Sequence, residues 1–470
     1  MQGYIGLWIV GWLAIGGLSG LLLGTFEKVR KWLLGWTLFS ALGAAGIGLY
    51  LSWVFPMPSS GFFGMIWGGG VYSLLGAGIS LITGIGAIFL HEYLKRHMEG
   101  RGWEALPLSL LMAAAAVVLP ASNHFLLSVV ALETVSLGSY VLVALSWRDR
   151  FGPEAAVKYL LLSALSFALL LFGLSYLYGM SGTLYLHHLR AMKWSAWVGS
   201  PLFALSLTLI GIGLLFKLSV FPFHWWAPDV YGGATPGATG LLVALGKLSG
   251  SFFAAQVLYA VEVPPLWLTG IAGIAAASAV YGNLVALTQT SLQRALGYSS
   301  VAHGGYILLG LLSGSEGVLQ AWAYALAYGL MSVMTFGLLS LSAEPLEYKA
   351  LRGLGYHQPG YAVGLAISLA SLSGMPPLIG FFAKYAIFTA AFRAGLIIPT
   401  LLALGSALVG YFYYWRPIAW MYHRAEVPFS PRPVLAMGAV LLLLLGLTPA
   451  LLWGWLDYLY SLAGYFQPRP

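Results

Sequence analysis

Three lysines stand where lysine is least expected. Lys217 (GIGLLFKLSVFPFHWW), Lys247 (LLVALGKLSGSFFAAQ) and Lys384 (GMPPLIGFFAKYAIF) each interrupt a long apolar run. Glu133 does the same in LLSVVALETVSLGSYVLVAL. A lysine removed from water can be switched between its charged and neutral forms by the approach of a carboxylate, so it can store a proton and hand it on. For Glu133 two readings stand: an ion-paired carboxylate that biases a nearby base, or a protonated carboxyl hydrogen-bonded to a neighbouring helix. For the lysines the alternative is a stem that lets the ammonium reach the membrane surface. Lys158 differs, because it lies one turn into its apolar block and four residues after Glu154, so an interfacial ion pair competes with a functional role. His303, within GYSSVAHGGYILLG beside Tyr298, Ser299, Ser300 and Tyr306, and His224 are either proton carriers or satisfied structural histidines. Asp229 reads as a cap on a polar turn. The histidines are scattered, so no metal-ligand spacing arises.

The elements that hold these residues follow from composition. Charged side chains make up 8% of the 470 residues and hydrophobic ones 60%, against roughly 25% charged in a soluble domain. So little charge cannot cover a water-facing surface, which excludes a soluble enzyme, a disordered chain and a nucleic-acid binder. The absence of Cys removes disulfides and thiolate-held metal centres. A hydrocarbon core of roughly 30 Å needs roughly 20 apolar residues per helix. Fourteen blocks meet that need, near 4–24, 32–55, 68–90, 105–121, 124–146, 154–180, 201–226, 234–260, 265–287, 295–313, 317–342, 361–391, 395–423 and 433–463. None alternates like a barrel strand, so the expected fold is an all-α polytopic membrane bundle. The first block lacks a basic n-region and reads as a retained span.

Lys and Arg crowd the loops after blocks 1, 3, 5, 9, 11 and 13, thirteen residues against four (Arg190, Lys193, Arg393 and Arg469) on the other side. The positive-inside rule then predicts both termini outside, which an even span count allows. A buried charge costs about 2.5–3.5 kcal/mol at a helix centre, so four deep ones cost on the order of 10 kcal/mol without partners. Pro222 follows Lys217, while Pro376 and Pro377 precede Lys384, so blocks 7 and 12 are expected to break beside an ionisable group. Blocks 4–8 (105–260) and 9–13 (261–423) then read as two five-helix repeats, the second inverted, each with its broken helix fourth. Residues 1–104 supply three further spans and 424–470 a last one. No Walker or dinucleotide-binding sequence occurs.

The stretches ETVSLGSYVLVAL, PEAAVKYLLLSALS, KLSVFPFHWWAPDVYGGATPGATGLLVALGK, RALGYSSVAHGGY and SLSGMPPLIGFFAKY resemble the N-type antiporter-like membrane subunits of respiratory complex I, in order over roughly residues 120–390. The third departs from the usual family form by lacking a residue before Thr235. Lysine rather than Glu at 384 and the lack of an L-type extension point to the N type. The resemblance implies a proton-translocating translocase subunit of NADH:quinone oxidoreductase in a plasma membrane. Its partners would be the membrane-arm and peripheral-arm subunits and the lipid bilayer. NADH, FMN, iron–sulfur clusters and quinone would be handled by other subunits, with no cofactor in this chain. It further implies that Glu133 and Lys217 pair on one half-channel, that Lys247 is the central relay, and that Lys384 serves the second half-channel. Lys158, His224 and His303 also match family positions. The alternatives are a subunit of a multisubunit Na⁺/H⁺ antiporter and a scaffold whose charges only fix helix packing.

Overall fold

Proline at the first helical turn sets φ where no N–H partner is needed, and it begins four of the long helices. A computed structural model of the chain describes residues 5–98, 101–145, 151–341 and 347–423. The first helices are α1 (Ile5–Gly24), the short α2 (Glu27–Arg30) and α3 (Leu33–Val54). A hairpin of β1 (Ser59–Gly61) and β2 (Ile66–Gly68) leads into α4 (Gly70–His97), α5 (Ala105–Ala121), α6 (Phe125–Ala144) and α7 (Phe151–Ser181). Then come α8 (Leu186–Ala191), α9 (Pro201–Lys217), α10 (Trp226–Gly233), α11 (Pro236–Ala260) and α12 (Pro265–Thr288). The remainder is α13 (Leu292–Leu311), α14 (Gly314–Leu339), α15 (Leu354–His357), α16 (Pro359–Ser373), α17 (Ile379–Arg393) and α18 (Ile397–Met421).

Helices thus occupy the first thirteen apolar blocks, and nine of them, among the described residues, are long and apolar enough to cross a membrane. The expected span over 433–463, with Arg148, Arg150, Arg424, Arg432 and Arg469, lies outside the described residues. The fold is an all-α polytopic membrane protein. Helix also reaches into the polar stretches between blocks: α4 continues to His97, α8 falls within 181–200, and α15 within 343–360. Among the described residues the one sheet is this hairpin of two three-residue strands, registered Ser59 to Gly68.

The centre of the bundle is α11 against α14, both almost wholly buried, whereas α1, α3, α7 and α18 keep broad apolar faces exposed. Small residues permit the close central approach. A Cβ on Gly240 would lie 3.1 Å from Val333 Cα, and one on Gly329 would lie 3.3 Å from Ala244 Cβ.

Both expected breaks are present. The helix of block 7 stops at Lys217 and restarts at Trp226, with Ser219 at φ +47°. His224 lies within this break. The helix of block 12 stops at Ser373, where Gly374 takes the left-handed conformation at φ +90°, and restarts at Ile379. Freed backbone groups at membrane depth need partners, and the sequence supplies them. Ser278 Oγ accepts from Phe221 N–H at 3.0 Å, and Trp226 Nε1 donates to Phe216 O at 3.2 Å. In the second break Tyr411 donates to Gly374 O at 2.8 Å. The turn shortened before Thr235 closes through Ala234 N–H to Val230 O at 2.9 Å.

Candidate functional site

Glu133 sits midway along α6 and Lys217 on the last residue of α9, where the negative end of the helix dipole favours a cation. The Lys217 ammonium lies 3.1 Å from Glu133 Oε2 and donates to Ser136 Oγ at 2.6 Å and Ser163 Oγ at 2.9 Å. Tyr140 donates to the other carboxylate oxygen at 3.2 Å. The ion-paired reading of Glu133 is therefore the observed one, and the pair is largely shielded, with side chains 7% and 17% exposed.

The two remaining deep lysines do something different. Lys247, on α11, donates to the Leu218 carbonyl and to Ser219 Oγ at 3.0 Å, both in the first break. Lys384, on α17, donates to Leu372 O and Ser373 O, each at 2.8 Å, at the second break. Each ammonium thus covers the orphan carbonyls at the C-terminal end of a half-helix. Neither set of partners includes a carboxylate. Snorkelling is not available to either, since Lys247 is 1% exposed and Lys384 7%.

Lys217 and Lys247 line one small internal cavity of about 20 Å³ with Ser136, Ser139, Ser219 and Ser249. That volume admits about one water molecule, and Ser249 Oγ on its wall has no hydrogen-bond partner. On the far side Lys247 abuts α13: a Cβ on Gly304 would lie 2.9 Å from its Nζ and 2.6 Å from Leu218 O. The neighbouring His303 is held by two helices, its Nδ1 2.6 Å from Tyr324 Oη on α14 and its Nε2 3.0 Å from Tyr414 Oη on α18. Tyr414 also meets Ser299 Oγ. One turn further on, the Tyr306 ring packs 5.5 Å from His303 and lies 5.7 Å below the Lys384 ammonium. Asn283 steadies that ring by donating to its hydroxyl at 2.7 Å.

Contacts therefore run from Glu133 to Lys217, through the shared cavity to Lys247, past Gly304 to His303, and through Tyr306 to Lys384. Lys158 does not join them: it pairs with Glu154 at 2.6 Å on an exposed face of α7, the interfacial arrangement. His224 packs between Phe221 and Tyr281, and its Nδ1 has no partner. Asp229 is not a cap. It lies in the first turn of α10 and pairs with Arg294 of α13 at 2.9 Å, because the helix restart at Trp226 turns it toward that neighbour. Arg416, near the end of α18, lies over the Tyr348 ring at 4.5 Å. Sequence reasoning missed Ser136, Ser163, Tyr324, Tyr414 and Gly304. Ser136 could have been found as the residue one turn from Glu133 and Gly304 as the neighbour of His303, but Ser163, Tyr324 and Tyr414 come from other helices.

Residues 122–410 match the family model described as NADH:quinone oxidoreductase/Mrp antiporter, transmembrane. NADH-quinone oxidoreductase subunit N of Neisseria gonorrhoeae is 34% identical over 78% of this chain and 80% of its own length. Subunit N of Laribacter hongkongensis is 34% identical over 88% of this chain and 86% of its own. Among solved structures, a chain of respiratory complex I from Thermus thermophilus with bound aureothin superposes with a TM-score of 0.78 at 33% identity, covering 94% of this chain and 98% of that one. A chain of the Mrp complex from Dietzia sp. shares the fold at a TM-score of 0.80 and 20% identity, covering 98% of this chain and 97% of that one. With breaks, buried charges and family match in agreement, this chain belongs to the NADH:quinone oxidoreductase/Mrp antiporter transmembrane family, among its subunit N members.

Proposed function

We propose that this chain is a proton-translocating membrane-arm subunit of NADH:quinone oxidoreductase, and that Glu133, Lys217, Lys247, His303 and Lys384 form its relay. The observation that carries the reading is the cavity shared by Lys217 and Lys247: two lysines on separate helices line one site with room for about one water. Redox energy released in other subunits, which would handle NADH, FMN, iron–sulfur clusters and quinone, displaces the Glu133 carboxylate from Lys217. Lys247 first gives its own proton onward and, as a neutral amine, accepts through the cavity the Lys217 proton released by loss of that attraction at 3.1 Å in surroundings of low dielectric. The proton given onward passes along the His303, Tyr324 and Tyr414 cluster to Lys384 and the outer side. Return of Glu133 restores the proton affinity of Lys217, which takes up a proton from the inner side.

The two-repeat organisation, with sets at 105–260 and 261–423, belongs to the same proposal. In the first set the lysine covering the break is Lys247, from the next helix; in the second it is Lys384, from the broken helix itself. Residues 1–104 and 424–470 flank the two sets. The positive-inside count supports both termini on the outer side of a plasma membrane. Lys158 on the exposed face of α7 and His224 in the break would act at the margins of the relay, receiving or steering protons.

The experiment is gentle solubilisation of native membranes, a native gel, and identification of the chains that migrate with this one. NADH-oxidising, iron–sulfur-containing partners are the expected result. Migration only with other all-membrane antiporter-like chains would replace the proposal with Na⁺/H⁺ exchange.

A further inference from the structure

A second cavity in the described chain is lined by none of the relay residues. It measures about 460 Å³ and lies where α4 and α14 begin and α11 ends, opposite the end of α4 that carries Lys95 and Arg96. Trp67 of the hairpin, His187 and Arg190 of α8, Gln256 and Tyr259 of α11, and Trp322 of α14 contribute to its wall. Its volume is that of a site for a small molecule, and its wall is mostly apolar with a few convergent polar groups.

The charge on that wall has one sign. Arg190 donates through Nε to Tyr259 O at 3.1 Å, and among the described residues it takes part in none of the ion pairs that engage Arg96, Lys158, Lys217, Arg294 and Arg393. The wall holds no Asp or Glu. His187 Nδ1 lies 2.7 Å from Asn123 Nδ2, whose other contact at 2.9 Å, with Gly64 O, fixes it as a donor. A neutral His187 therefore carries its proton on Nε2 and is itself a donor. A guanidinium with free N–H groups, a neutral N–H donor and indole walls at the membrane–water boundary make up a receptor for an anion attached to something apolar.

We propose that this cavity binds a phosphate group carried on an amphiphilic molecule, with Arg190 as its charge partner, His187 as a second donor and Trp67 and Trp322 as the walls against its apolar part. At this level of a membrane the ready source is the phosphodiester of a phospholipid headgroup; a free phosphate would meet the same donors. None of the wall residues belongs to the relay, so the site stands whether or not the relay reading does.

The test uses the whole complex purified in mild detergent. Native mass spectrometry counts retained phospholipid in the wild type, Arg190→Gln and Lys193→Gln, the last altering an exposed residue outside the wall. A retained lipid present in wild type and Lys193→Gln, with occupancy down about tenfold in Arg190→Gln, is expected. If no lipid is retained, equilibrium dialysis of labelled inorganic phosphate against the same three proteins decides: binding lost only in Arg190→Gln assigns the site to free phosphate. Equal lipid occupancy in all three, or no lipid and no phosphate binding, overturns the proposal. Should Arg190→Gln fail to assemble, a headgroup-photoactivatable phospholipid is cross-linked to the wild type. Labelling in residues 186–191 or 255–259 supports the site, and labelling only elsewhere rejects it.

Discussion

Lys217 meets Glu133 at 3.1 Å while two hydroxyls, Ser136 and Ser163, accept its remaining protons. The ammonium is therefore fully satisfied on one side only by a charge, and on the other two by neutral groups that stay when the charge moves. Such a site can lose its counter-ion without leaving every donor orphaned, which is what a switch needs.

Glu133→Gln keeps the shape of the carboxyl and removes its charge. Assembly on a native gel should be unchanged, and NADH-driven proton pumping in inverted vesicles should fall about tenfold, the equivalent of about 1.4 kcal/mol. Wild-type pumping in this variant would detach Glu133 from the mechanism.

Lys247→Ala should also assemble, yet it strips the Leu218 carbonyl of its ammonium partner, at a cost of about 1–3 kcal/mol. Pumping should drop more than assembly. A variant that assembles poorly but pumps normally for the amount present would favour a packing role for this lysine.

Gly304→Ala tests the seam between α11 and α13. Its Cβ would sit 2.6 Å from Leu218 O, so either the backbone of the break or Lys247 must move. A loss of coupling comparable to that of Lys247→Ala is expected; tolerance of the methyl group would show that the seam is looser than the contact implies.

Tyr324→Phe and Tyr414→Phe each remove one of the two hydroxyls that hold His303, worth about 1 kcal/mol apiece. Pumping rates of the single and double variants should be non-additive, because both act through one imidazole. Strict additivity would mean that the two tyrosines do not share His303 as their point of action.

Asp229→Asn serves as the contrast. The Asp229–Arg294 pair is 42% and 44% exposed, so the change should cost less than about 1 kcal/mol and that loss should shrink further in high salt. Thermal inactivation of the complex at low and high ionic strength measures it; a shift larger than that of Glu133→Gln would overturn the ranking of the two pairs.

Much of the arrangement is legible from the residues alone, for a physical reason. A charge at membrane depth is expensive on its own, whatever surrounds it, so Glu133, Lys217, Lys247 and Lys384 announce themselves against apolar neighbours. A proline interrupts a helix through its own missing N–H, and the breaks at 218–225 and 374–378 follow locally from Pro222, Pro376 and Pro377. Those are properties of single residues and of near neighbours along the chain.

Partnership is not such a property. Lys217 stands beside the first break and Lys247 29 residues beyond the carbonyl it covers, yet it is Lys247 that meets the freed carbonyl while Lys217 turns to Glu133, 84 residues away. His303 has Ser299, Ser300 and Tyr306 near it on α13, and its ring nitrogens nevertheless meet Tyr324 and Tyr414, 21 and 111 residues distant. Lys158 matches a family position as Lys217 does, and the fold leaves it on the surface with Glu154. Apolar helices carry little periodicity to say which faces meet. The choice is made by how closely small residues such as Gly240, Gly304 and Gly329 let backbones approach, and that distance exists only once the helices are packed.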